Sequence, residues 1–179
     1  GLNSYGITKI VEKNKSRDHT ENLLQKNSQA IKIKKGKEKI ISIFGKKNLE
    51  PINVLIPGDP SSAAFYTALT LLNQKSILKI KNVGLNPTRI GFYELLKKHG
   101  ANIKFKNKKK QNNEITGDII VKSSKLKKPI IASKNFYEKT TDEFPILFCI
   151  AALTKGVSIF KGIEDLANKE SNRIKEMQK

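Results

Sequence analysis

Repetition within the chain constrains its fold more than any other feature. Ser16-Arg17, followed by Leu23-Leu24 and Ala30-Ile31-Lys32-Ile33, has a counterpart in Thr88-Arg89, followed by Leu95-Leu96 and Ala101-Asn102-Ile103-Lys104-Phe105. In both copies the leucines fall six and seven residues after the arginine. A hydroxyl residue and an arginine open a helix, and a strand alternating apolar residues with lysine follows. That alternation has period two, which puts one face in a core and one in water. A third copy begins at Ser171-Asn172-Arg173.

A second helix type alternates with the first. Asp59 precedes Pro60-Ser61-Ser62 and an apolar run at 63–72, and Asp142 precedes Glu143 and an apolar run at 144–153. Both aspartates are expected N-caps, since a carboxylate there accepts from the free N–H groups of the first turn. Pro60 suits the first helical position, and Gly100 suits the residue after the helix at 88–99. Both apolar runs are apolar nearly all round, so both helices are expected to lie in the interior. Each leads through a short turn into a strand, at 77–83 and 157–163, whose first copy is 7–12. The unit is strand, helix, strand, strand, helix, and the fold class is α+β. A boundary is expected at Ile56-Pro57-Gly58, where paired strands at 31–43 and 54–56 end. The domains are therefore read as 1–56 and 57–179.

Charge alone separates few functions here. The net charge is +19 over 179 residues, which attracts anions, whether nucleic acid or phosphorylated metabolites. Lys, Asn and Ile are over-used together, as in an AT-rich coding bias, and that accounts for most of the lysines. Lys108–Lys110 beside Gln111 reads as a solvated loop without aromatic residues to stack on bases. No apolar run approaches the ~18 residues of a membrane span. Cys149 is the one cysteine; it excludes an internal disulfide and is expected to be buried and inert. His19 and His99 have no ligand-like neighbours in sequence, so no metal site is expected. Gly1 at the start and a helical pattern interrupted at 168–179 are what an internal piece of a longer chain would show.

Helix starts bearing Ser or Thr, Arg and Asp suit anions, because free N–H groups and the dipole point at the ligand and arginine adds a forked pair of hydrogen bonds. One such start is usually only a cap; aligned copies point to a convergent anion site.

Six segments then resemble one family, in one order. Lys15-Ser16-Arg17-Asp18-His19-Thr20-Glu21 resembles the Ser-Arg-Asp-His-Thr-Glu segment of EPSP synthases. Ile56-Pro57-Gly58-Asp59-Pro60-Ser61-Ser62-Ala63-Ala64-Phe65 resembles that family's crossing between two domains. Asn82-Val83-Gly84-Leu85-Asn86-Pro87-Thr88-Arg89 and Gly117-Asp118-Ile119-Ile120-Val121 also match. So do Asp142-Glu143-Phe144-Pro145, near the family's Asp-Glu-Ile-Pro, and Lys169-Glu170-Ser171-Asn172-Arg173, near Lys-Glu-Ser-Asp-Arg. Three places depart from the pattern: Asn172 replaces Asp, Ala167 stands where Arg is usual, and 137–140 differs from Pro-Arg-Leu-Ile.

The resemblance implies repeated βαβαββ units of the enolpyruvyl transferase fold, a two-domain inside-out α/β barrel, incomplete here. It implies transfer of the enolpyruvyl group of phosphoenolpyruvate to the 5-hydroxyl of shikimate 3-phosphate, in the shikimate pathway to chorismate and aromatic amino acids. Asp142, Lys169 and Glu170 would be catalytic. Ser16, Arg17, Asp142 and Lys169 would bind shikimate 3-phosphate, and Glu170 and Arg173 phosphoenolpyruvate. No cofactor, metal, nucleic-acid partner or membrane contact is implied. The complete protein is expected to be a cytoplasmic monomer, and this chain alone inactive, because several phosphoenolpyruvate ligands of the family lie in segments it lacks. Two rivals remain: UDP-N-acetylglucosamine enolpyruvyl transferase, which shares fold and chemistry, and a basic nucleic-acid-binding repeat module.

Overall fold

The computed structural model describes residues 1–27 and 29–179. Their contacts divide into two compact units: Gly1–Ile56 with Lys110–Glu114, and Pro57–Lys109 with Ile115–Lys179.

The first unit is a three-stranded antiparallel sheet of β1 (Ile7–Glu12), β2 (Ile31–Lys34) and β3 (Lys39–Phe44), in the order β1-β3-β2, with one short helix, α1 (His19–Leu24). Ile31 pairs with Ile43 and Ile33 with Ile41. Ile31 and Ile41 are buried while Lys32 and Lys34 are exposed, as the alternation requires. Lys39 ties β3 to β1 and α1, its ammonium lying 2.9 Å from Glu12 and 2.7 Å from Glu21. Residues 54–56, expected as a strand, form none and are exposed. Pro51 and Pro57 flank them and lack the N–H a ladder needs.

The second unit carries α2 (Pro60–Leu72), β4 (Ile77–Gly84), α3 (Gly91–Lys98), β5 (Asn102–Gln111), β6 (Glu114–Lys122), β7 (Ile131–Ala132), α4 (Phe144–Ala152), β8 (Ile159–Phe160) and α5 (Arg173–Gln178). The hairpin end of β5 and β6, at Lys110–Glu114, groups with the first unit. In the larger sheet β6 lies between β4 and β5, and β7 pairs with β8 in parallel. The expected strand at 157–163 is only the two residues of β8.

The core follows from α3, whose Phe92, Tyr93, Leu95 and Leu96 are wholly buried against Ile119, Val121, Leu147 and Leu166. Phe92 and Tyr93 meet edge to face at 5.1 Å, a favoured aromatic geometry. Gly91 opens α3 where an added Cβ would lie 2.3 Å from the Thr140 hydroxyl, so only glycine admits that close passage. Gly100 ends the helix at φ +101°, the left-handed conformation expected of it. A register shift between Ile80 and Val83 is held by Asp118, which accepts from the Asn107 amide at 2.7 Å and the Asn82 N–H at 3.1 Å and pairs with Lys79 at 3.0 Å. The Asn107 amide, Lys79 and the Asn82 N–H pull its carboxyl down to about 2.

Two expectations about burial need correction. Helix α2 buries Ala63, Ala64, Thr67, Ala68 and Leu71, but leaves Phe65, Tyr66 and Leu69 about three-fifths exposed (59 %, 63 % and 61 %). Helix α4 buries Phe144, Leu147 and Ile150, yet Cys149 is exposed, not buried. Helix α2 packs on β4 and α4 and leaves its other face open, whereas on α4 only Cys149 and Ala152 are exposed. His99 is structural. Its Nε2 accepts from the Ile131 N–H at 3.0 Å, so Nδ1 carries the proton and donates to the Leu95 carbonyl at 2.8 Å. Among the described residues no helix is long and apolar enough to cross a membrane.

Candidate functional site

The six residues singled out from sequence fall in both units, with Ser16 and Arg17 in the first and Asp142, Lys169, Glu170 and Arg173 in the second.

Ser16 and Arg17 are exposed in the turn between β1 and α1. They do not open the helix, which starts at His19 with Asp18 as N-cap. The Ser16 hydroxyl donates instead to Glu12, as does its N–H at 3.0 Å. Partial burial works to raise the Glu12 pKa, but Ser16 and Lys39 prevail and hold it below the usual value. Lys13, Lys15, Lys35 and Lys37 rim a concavity of about 290 Å³ beside this turn, an electropositive setting for an anion.

In the second unit, Arg173 brings two of the other three together. Its guanidinium lies 2.9 Å from Glu170 and 3.7 Å from Asp142. Its own N–H and Arg173 draw the Glu170 carboxyl below its ordinary value. Lys169 turns the other way, onto Asp165 at 2.8 Å, and that pairing raises the Lys169 pKa. Asp165 also accepts from the Tyr137 hydroxyl.

The four-residue spacing of Lys169 and Arg173 predicts that both project from one helix face, and Asp142 is expected to cap α4; neither holds. Lys169 and Arg173 do not project from one helix: Lys169 closes the 3-10 turn Glu164–Asn168, and Arg173 is the first residue of α5, capped by Asn172 accepting from the Lys175 N–H at 3.0 Å. Asn172, a departure from the family's Asp, still serves as a cap because both side chains offer an acceptor oxygen. Nor is Asp142 the cap of α4. That helix starts one residue later, on Glu143, whose side chain caps nothing in α4.

Sequence reasoning missed a partly buried polar cluster at the start of α2. Asp59 caps α2 as expected, accepting from the Ser62 N–H at 2.9 Å. Arg89 donates to Asp59 at 2.9 Å and to the Ser61 hydroxyl oxygen at 2.9 Å. Ser61 in turn donates to Glu143, which is 3 % exposed. The Tyr93 hydroxyl donates to the Pro60 carbonyl at 2.6 Å. Burial, with the negative charge of Glu143, pushes the Tyr93 hydroxyl well above the usual range. Nothing in sequence spacing joins Ser61, Arg89 and Glu143. The Asp165–Lys169 pair, by contrast, stands at the i,i+4 spacing that could have revealed it.

Comparison with known proteins covers the whole chain. The sequence profile of EPSP synthase (3-phosphoshikimate 1-carboxyvinyltransferase) matches residues 1–179. The 3-phosphoshikimate 1-carboxyvinyltransferase of Zymomonas mobilis is 41 % identical over 175 residues, 97 % of this chain and 38 % of that protein. That of Aquifex aeolicus is 40 % identical over 176 residues, 98 % of this chain and 41 % of that protein. The chain therefore spans about two-fifths of the relatives it matches. The 2.37 Å structure of EPSP synthase from Acinetobacter baumannii superposes with a TM-score of 0.84 at 35 % identity, over 98 % of this chain and 39 % of that one. The mixed α/β arrangement of small sheets is thus part of an enolpyruvyl transferase fold, and the chain belongs to the EPSP synthase family.

Proposed function

We propose that this chain supplies part of an enzyme that transfers the enolpyruvyl group of phosphoenolpyruvate to the 5-hydroxyl of shikimate 3-phosphate, releasing phosphate. The observation that carries the reading is Arg173 held between Asp142 and Glu170 within the family's Asp-Glu and Lys-Glu-Ser motifs. On this reading 1–56 closes the first domain of the fold and 57–179 provides two-thirds of the second. The substrates are small phosphorylated molecules. The complete protein works as a cytoplasmic monomer without a nucleic-acid partner.

The residues divide the work by chemistry. Ser16 and Arg17 take the 3-phosphate, where a hydroxyl and a guanidinium suit phosphate oxygens. Asp142 accepts the proton of the 5-hydroxyl as its oxygen bonds to C2 of phosphoenolpyruvate; Glu170 gives a proton to C3 and takes one back from C3 as the tetrahedral intermediate expels phosphate. Lys169 offsets developing negative charge. Arg173 binds the carboxylate or phosphate of phosphoenolpyruvate. An anion that draws the guanidinium away from Glu170 removes a group that now depresses the Glu170 pKa, and so makes Glu170 a better proton carrier.

The test is a chimera in which this chain replaces the matching segment of the Aquifex aeolicus relative. Phosphate release that requires both phosphoenolpyruvate and shikimate 3-phosphate is expected. Turnover with UDP-N-acetylglucosamine in place of shikimate 3-phosphate, or no turnover, would overturn the reading.

A further inference from the structure

We infer that Glu143 is a positioning residue for its neighbour Asp142, acting through the Ser61–Arg89 cluster that joins the starts of α2 and α4. The inference rests on the reading of Asp142 as the base.

The geometry is unusual for a helix start. Glu143 is the N-cap of α4, yet its carboxylate turns away from its own helix to the Ser61 hydroxyl on α2. Only 3 % of the residue is exposed. A buried carboxylate is costly unless hydrogen-bonded and balanced by positive charge. Ser61 meets the first need. Arg89, whose side chain is 16 % exposed, donates to the same Ser61 oxygen, which turns the Ser61 hydroxyl proton toward Glu143, and pairs with Asp59. Asp59 is itself fixed by capping α2, and the Tyr93 hydroxyl fastens α3 to the Pro60 carbonyl. The Glu143 backbone is bound on both sides, its N–H to the Thr140 carbonyl at 3.0 Å and its carbonyl to the Leu147 N–H at 3.0 Å.

A plain helix start needs none of this, since an exposed Ser or Asp would cap α4 without burying charge. What the cluster adds is a rigid attachment one peptide bond from Asp142, whose side chain is 42 % exposed and faces Arg173. Proton transfer from a substrate hydroxyl depends on the base being held within hydrogen-bond reach. The buried glutamate thus fixes where the exposed aspartate stands.

Kinetics of the same Aquifex chimera test this. Glu143→Ala is expected to lower kcat by about 10²-fold, the effect of a ~1 Å misplacement, with both KM values within about twofold of the parent, as for a loss confined to the transition state. Glu143→Gln keeps the acceptor for Ser61 and should recover at least about tenfold of that loss. Ser61→Ala should lower kcat in the same way, and Ser61→Ala/Glu143→Ala should be no slower than Glu143→Ala alone, as coupled partners require. If Glu143→Ala does not fold, Ser61→Ala decides. Unchanged kcat in Glu143→Ala or Ser61→Ala, a loss expressed in KM, or no recovery with Gln overturns the inference. Absence of turnover before any substitution overturns the enzymatic reading and this inference with it; full kcat in Glu143→Ala overturns the inference alone.

Discussion

Helix α2 begins with Asp59 accepting from the Ser62 N–H at 2.9 Å, and Pro60 stands in its first turn directly after the cap. Helix α4, the matching element of the next repeat, begins on Glu143, with Asp142 one residue outside and Pro145 at the second helical position. The distance from aspartate to proline makes the difference. Proline has no N–H to satisfy and its fixed φ suits the first turn, so the residue before Pro60 is placed as the cap. Where two residues separate aspartate from proline, the helix starts later. One aspartate is thereby committed to stability and the other is left outside its helix, beside Arg173. Similar sequence can thus start its helices differently through spacing.

The largest expected effect concerns Asp142. In the Aquifex chimera, Asp142→Ala should lower kcat by about 10²-fold or more, and Glu170→Ala likewise, as loss of general acid–base catalysis does. Near-normal kcat would remove the functional half of the contrast between the two aspartates.

Burial in the two helices differs as sharply. Leu147 of α4 is fully buried, while Leu69 of α2 is 61 % exposed. Leu147→Ala should cost about 2–5 kcal/mol in urea unfolding of the chain. Equal sensitivity at Leu69 would mean that the outer face of α2 is covered in solution.

Asp59→Ala should cost about 1 kcal/mol in the same measurement through the lost cap. Partial burial would raise the Asp59 pKa, but the Ser62 N–H and hydroxyl, the Ser61 N–H and Arg89 hold it below the ordinary value. A depressed folded pKa contributes stability above the unfolded value of about 4, lost as pH falls through the folded value. Asp59→Asn should therefore flatten the acid limb of stability below about pH 4. An unchanged limb would mean that Asp59 is not held as the structure shows. The smallest effect is expected at Leu69, where alanine should change stability by less than about 0.5 kcal/mol.

Local signals suffice where neighbours in sequence decide the structure. Strand β1 occupies 7–12 as expected, Asp59 caps α2, Pro60 starts it, and Gly100 takes the left-handed turn after α3. Each depends on contacts within a few residues. Other readings failed where distant partners decide. Apolar periodicity foresaw neither the open face of α2 nor the exposure of Cys149, because burial depends on which elements of this chain reach each side. Residues 54–56 are apolar enough for a strand, but a strand needs a partner backbone. The spacing of Lys169 and Arg173 fits one helix, yet the chain breaks between them and Lys169 faces Asp165.

By itself the sequence determined the repeat, the alternating strands, the cap of α2 and the residues that carry the family's motifs, since these are properties of short segments. The tertiary structure alone decided that Arg173 stands beside both Asp142 and Glu170, that Ser16 binds Glu12 instead of capping α1, and that Glu143 is buried and bonded to Ser61, which also accepts from Arg89. Those arrangements join groups up to 82 residues apart. A buried charge chooses its partners by the cost of leaving water, and that cost exists only once the chain has folded around it.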